Sequence, residues 1–176
     1  MDQDRIPTWV QPGIAHAVIE IPAGTLEKRQ YDSSTGTYPI DLRNGVPRRI
    51  AFLPYPANYG FIPSTRMHKA EGGDGDAVDV FVLCGTVPSG TVLEVKPIGI
   101  IELLDAGERD DKVIAIPADP ASAVFDVEDI HELPAAVLEI LTIWLLNYDR
   151  VDRAELVAVR GRSEALATIE RWRVQA

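Results

Sequence analysis

Three aspartates, Asp74, Asp76 and Asp79, fall within six residues in the segment "DGDAVDV". Carboxylates at that density repel one another unless a cation lies among them. Asp74 and Asp76, two apart, share a face of an extended chain. Asp79 must be turned back to join them, and Gly72, Gly73 and Gly75 permit such a turn. A solvated acidic loop is the plainer reading of any D-x-D alone. Here Val78, Val80 and Val82 begin an apolar run at once, so the acids stand at the mouth of a core, where unpaired charge is costly. An EF-hand is excluded: counted from Asp74, its sixth and twelfth positions hold Asp79 and Gly85 instead of Gly and Glu. A second acidic group, Asp105, Asp110 and Asp111 beside Lys112, lies in "DAGERDDK". Together the two groups offer hard oxygen ligands. His16, His68 and His131 are far apart and Cys84 is the one cysteine, so Mg²⁺ or Mn²⁺ suits this donor set better than Zn²⁺ or Cu²⁺. Mg²⁺ commonly shares its shell with a substrate phosphate, which points to phosphoryl transfer or hydrolysis.

The elements that must position these acids are mostly strands. "HAVIEIP" alternates and ends at Pro22, the pattern of a strand. "KRQYD" and "TYPIDL" flank "SSTG" as a hairpin, and "PYPANYGFIPST" is a Pro- and Gly-rich ordered loop with two tyrosines. "VDVFVLCG" and "KVIAIP" read as buried strands. "TVLEVKPIGIIELLD" reads as one long strand or two abutting ones, with Pro97 at a bend or edge. The chain then changes character. "ELPAAVLEILTIWLLNY" is a Leu-rich helix with Pro134 in its first turn, "AELVAVRG" a short strand, and "RSEALATIERWRV" a helix capped by Ser163. Strands first and helices last predict an α+β fold: a closed or partly closed β-barrel with two C-terminal α-helices packed on it.

The 176 residues make one domain, 1–176, with an N-terminal extension over 1–15. Acidic residues outnumber basic ones 27 to 17, for a net charge of -10. That balance disfavours nucleic acid and anionic membrane surfaces as partners. The opening "MDQDRIPTWVQPG" lacks a signal pattern and a lone cysteine fits a reducing compartment, so the expected location is the cytoplasm. Cys84, the histidines and Trp9 are read as structural or surface residues. The helix containing Trp144 is apolar on nearly all sides, which suggests a subunit interface.

Five segments in order and spacing, "VIEIPAGT", "YPANYGFIPST", "DGDAVDV", "DAGERDDKVIAIP" and "NY" at 147–148, resemble the soluble family I inorganic pyrophosphatases over roughly residues 16 to 150. The resemblance implies an OB-like five-stranded closed barrel and hydrolysis of pyrophosphate to two phosphates with several Mg²⁺ ions, Mn²⁺ being a possible substitute. It implies that Asp74, Asp79 and Asp110 hold a first metal, that Asp79 also touches a second, and that Asp105 and Asp110 take a metal arriving with substrate. Glu20 would help organise these ions. Asp76 matches the general base beside a water bridging two metals, a water whose pKa falls far enough to make a nucleophile at neutral pH. Lys28, Lys112, Tyr59 and Tyr148 match the phosphate side, while Tyr55 is equally well read as core. For the phosphate-binding arginine, Arg48 is the first choice, Arg43 the second, and Arg49 a third possibility. Such cations stabilise charge on the leaving phosphate. The resemblance also implies a homo-oligomer, with a hexamer favoured.

Three positions depart from the family pattern: Gln30 for a glutamate, Asp149 for a lysine, and Ala77 for a proline. Asp149 is expected to remove a phosphate contact and add a like charge, and Arg150 is a neighbour that points to a different helix face. Two departures on one side of the site predict altered substrate binding at the Lys28, Gln30 and Tyr148 end. Alternative functions are hydrolysis of another small polyphosphate on the same fold, or non-catalytic binding of divalent cations or anions.

Overall fold

A computed structural model describes residues 2–149 and 154–174. Apolar strands are joined into a ring. The strands are β1 (Trp9–Gln11), β2 (Ile14–Ile21), β3 (Leu42–Arg43), β4 (Val46–Pro47), β5 (Asn58–Phe61), β6 (Asp79–Val82), β7 (Val92–Asp105), β8 (Glu108–Arg109), β9 (Lys112–Pro117) and β10 (Glu155–Gly161). β2 pairs with β5, β5 with β6, β6 with β9, β9 with β7, and β7 returns to β2, which closes five strands into the OB-like ring. β1, β8 and β10 extend it, and β3 pairs with β4 apart from it. All of these pairings are antiparallel except β6 with β9.

Closure depends on β7. One edge pairs with β2 through residues 92–95 and then with β10, while β9 runs along the opposite edge. Pro97 has no N–H to give, and the β9 ladder is irregular between Pro97 and Gly99. β6 and β9 are buried on both faces, which explains their unbroken apolar runs. Val80, Val82, Val113 and Ala115 face a core completed by Ala165, Ile169 and Trp172 of α2 (Arg162–Trp172). Phe81, Ile114 and Ile116 face a second core completed by Leu141, Trp144 and Leu145 of α1 (Ala135–Asn147).

Three local expectations are corrected. The hairpin around "SSTG" is held by isolated bridges, Arg29 to Ile40 and Asp32 to Thr37, rather than by continuous strands. Pro134 precedes α1 at its N-cap instead of lying in the first turn. Ser163 lies within α2 and bonds Glu164, and the carboxylate of Asp129 receives the Arg162 N–H at 2.8 Å. Trp9 packs against the α2-side core and its Nε1 donates to Glu170 at 2.8 Å.

Candidate active site

The first acidic loop is built by backbone turns ahead of β6. Asp74 Oδ1 accepts from the Asp76 N–H at 2.9 Å, while Gly75 N–H donates to the Met67 carbonyl and Met67 N–H to the Asp76 carbonyl. Gly73 allows a close approach: a Cβ there would meet the Met67 backbone at 2.6 Å. The second loop leaves β7 at Asp105, turns through Ala106 and Gly107 at positive φ, and returns as β8. The two loops are tied together where Arg109 N–H donates to the Gly72 carbonyl at 2.8 Å. The parallel register of β6 and β9 then sets Asp79 beside Lys112. Lys112 Nζ donates to Asp79 at 2.6 Å and also to Asp110, with only 3% of its side chain exposed.

All the candidate metal, base and phosphate residues line one cleft of about 1030 Å³. Glu20, at the end of β2, is buried, accepts from the Tyr31 N–H at 2.7 Å, and has its pKa pushed up to about 8 by that burial. Burial likewise raises Asp74 to about 6, with Asp79, Asp76 and Asp110 adding repulsion. Asp79 is raised by burial, opposed by Lys112. Lys112 goes the other way, its pKa raised because attraction to Asp79 and Asp110 outweighs the burial that opposes its charge. Tyr59 and Tyr148 reach the cleft from the aromatic stack under α1, where Tyr148 lies on Trp144 at 4.8 Å. Tyr148 is raised to about 12 by burial.

Among the described residues no three acidic, His or Cys side chains converge as a finished metal cage. The donor set nevertheless fits a hard cation: it is carboxylate oxygen, mutually repelling, and open to a cleft. Mg²⁺ typically takes only one or two protein carboxylates and completes its shell with water and phosphate.

The sequence profile described as inorganic pyrophosphatase matches residues 17–176. The chain belongs to the inorganic pyrophosphatase family. Inorganic pyrophosphatase 1 of Pseudomonas syringae pv. tomato is 33% identical over 184 aligned positions, covering 98% of this chain and 99% of that protein. The crystal structure of the Thermus thermophilus inorganic pyrophosphatase superposes with a TM-score of 0.85 at 27% identity, covering 98% and 97% of the two chains. A truncated Trypanosoma cruzi vacuolar soluble pyrophosphatase in complex with PPi superposes at 0.83 and 26% identity, over 96% of this chain and 71% of that one. Family members are hydrolases of the pyrophosphate phosphoanhydride bond and depend on divalent metal ions.

Several side chains stand elsewhere than their sequence neighbours suggest. Asp111, beside Asp110, turns into the fold and accepts from Leu103 N–H and Arg109 Nε, each at 3.2 Å. Arg49 is exposed and pairs with Glu27, whereas Arg43 and Arg48 both line the cleft. Tyr55 is core, packed on Trp144 at 4.7 Å. Arg5, Arg66 and His68 also border the cleft, and no short motif marked them. Asp149 is paired with cations. Its Oδ2 accepts from Arg43 at 2.8 Å and from Arg48 at 3.0 Å. Arg150 lies outside the described residues.

Proposed function

We propose that this protein hydrolyses inorganic pyrophosphate to two phosphates with Mg²⁺, Mn²⁺ being a possible substitute, and that the cleft is its active site. The observation that carries this reading is the convergence of Glu20, Asp74, Asp76, Asp79, Asp105 and Asp110 with Lys28, Arg43, Arg48 and Lys112 on one cleft. Bound divalent cations supply a water of lowered pKa and neutralise the acids that would otherwise repel a tetra-anion. Asp74, Asp79, Asp105, Asp110 and Glu20 would hold those cations. Asp76 stays exposed at the loop tip, where its free oxygen takes the proton from the attacking water. Lys28, Arg43, Arg48 and Lys112 orient the phosphate oxygens and stabilise charge on the leaving group, with the Tyr59 and Tyr148 hydroxyls as further donors. Gln30 lines the same cleft as a neutral group beside Lys28.

The chain works as a single unit and assembles as a homo-oligomer, a hexamer being favoured, in the cytoplasm. Ile140 and Ile143 on α1, 58% and 55% exposed, support the assembly. No described helix is long and apolar enough to cross a membrane. The test is a substrate panel with Mg²⁺: pyrophosphate, tripolyphosphate, a nucleoside triphosphate and a phosphomonoester. Pyrophosphate is expected to dominate. Equal turnover of longer phosphoanhydrides would move the assignment to another small polyphosphate, and no turnover of any would overturn hydrolysis.

A further inference from the structure

Asp149 follows α1 by two residues and keeps 13% of its side chain exposed. Its Oδ2 receives both guanidiniums, Arg43 at 2.8 Å and Arg48 at 3.0 Å, while Oδ1 receives Arg43 again at 3.4 Å. Arg48 also donates to Asp41 Oδ2 at 2.9 Å. Both arginines line the cleft, and the Arg48 charge helps depress the pKa of Lys28 beside it. Two guanidiniums would repel each other at such close quarters. A carboxylate shared between them holds them side by side, in the planar fork geometry that also suits a phosphate oxyanion. Among the described residues each of these guanidiniums faces a carboxylate, so the arginines present phosphate with less net attraction than they would without it.

We propose that Asp149 is an internal anion that occupies Arg43 and Arg48 in place of phosphate and thereby weakens the hold of this end of the cleft on phosphate. The inference deepens the pyrophosphatase reading and rests on it for the identity of the anion. Asp149 acts through the arginines and is a positioning residue. Its carboxylate keeps the guanidiniums aligned between turnovers, and it competes for the same N–H donors when orthophosphate is to be released. A residue that only supported the fold would, when replaced, loosen the arginines and weaken phosphate binding. An internal competitor has the opposite signature.

The test is calorimetric titration of the intact protein with orthophosphate in Mg²⁺ buffer, alongside KM for pyrophosphate and product inhibition. Wild type is compared with Asp149→Asn, Asp149→Ser and Asp149→Glu. Removing one negative charge predicts orthophosphate binding at least about tenfold tighter in Asp149→Asn, the effect of a unit charge roughly 12 Å away at an effective dielectric near 20. The gain should shrink as salt is raised, since added ions screen the pair. Asp149→Glu restores the carboxylate and stays close to wild type. Asp149→Ser removes the same charge and stands in if the Asn variant does not fold. Unchanged or weaker orthophosphate binding in the folded neutral variants overturns the role of Asp149. Wild-type turnover is measured in parallel: its absence strikes the pyrophosphatase reading, whereas turnover with unchanged phosphate affinity strikes only this inference.

Discussion

Replacing Lys112 by methionine keeps the length of the stem and removes a cation that the structure places between Asp79 and Asp110. The ammonium is almost fully enclosed, with 3% of its side chain exposed, against 21% for Asp79 and 17% for Asp110. The two acids raise its pKa beyond the ordinary lysine value, so it is charged throughout any practical assay range. Removing one member of a buried ion pair leaves uncompensated charge and costs roughly 3–5 kcal/mol. For a chain of 176 residues the melting temperature moves by about 2–4 °C per kcal/mol. Lys112→Met should therefore melt roughly 6–20 °C below wild type in chelator. Added Mg²⁺ should narrow the gap, because the lysine no longer competes for Asp79 and Asp110 and binding to the folded state stabilises it. Circular-dichroism melts of both proteins in EDTA and in Mg²⁺ supply the comparison. Equal melting points in EDTA, or no larger Mg²⁺ gain in the variant, would refute the reasoning that this lysine stands in for cation charge.

Two further outcomes are expected. Gly60→Ala places a Cβ 1.8 Å from the Val18 carbonyl oxygen, backbone against backbone, so nothing flexible can yield. It should lower stability by about 1–3 kcal/mol or more, read as a shifted denaturant midpoint; an unshifted midpoint would contradict the close β2–β5 approach. Lys28, its pKa depressed by burial and then by Arg48, should lose its proton below the usual 10.5. KM for pyrophosphate should therefore rise on the alkaline side as that ammonium is neutralised. Lys28→Arg, which cannot deprotonate there, should flatten the rise. An identical alkaline limb in the variant would assign it to another group.

The strands around the aspartates were legible because burial on both faces leaves a continuous apolar run, as in β6 and β9. The closing strand β7 was legible down to its disturbance at Pro97, since a residue without an N–H must interrupt a ladder. The hairpin before Arg43 was harder. Its pairings are single bridges between polar residues, and no alternating pattern accompanies such contacts. Asp129, which bonds the first N–H of α2, lies 33 residues earlier, so Ser163 was the only local candidate. The partners of Asp149 were not legible for the same reason at longer range. Its arginines stand 106 and 101 residues away, and a count of local charge sees only a misplaced acid. Glu20, Asp79, Asp105 and Lys112 were easier because motif order places them on strand ends that the ring brings together.

The measurement that bears most directly on the account is phosphate release from pyrophosphate, with and without Mg²⁺, by the intact protein and by Asp76→Asn. Asp76 is exposed on its loop, so the variant should keep its melting temperature. Loss of a general base should slow turnover by roughly 10²–10⁴-fold. Magnesium-dependent turnover that falls by that much in a folded variant is the predicted result. Full turnover in Asp76→Asn would contradict the assignment of the base, and no Mg²⁺- or Mn²⁺-dependent turnover in the intact protein would contradict the function itself.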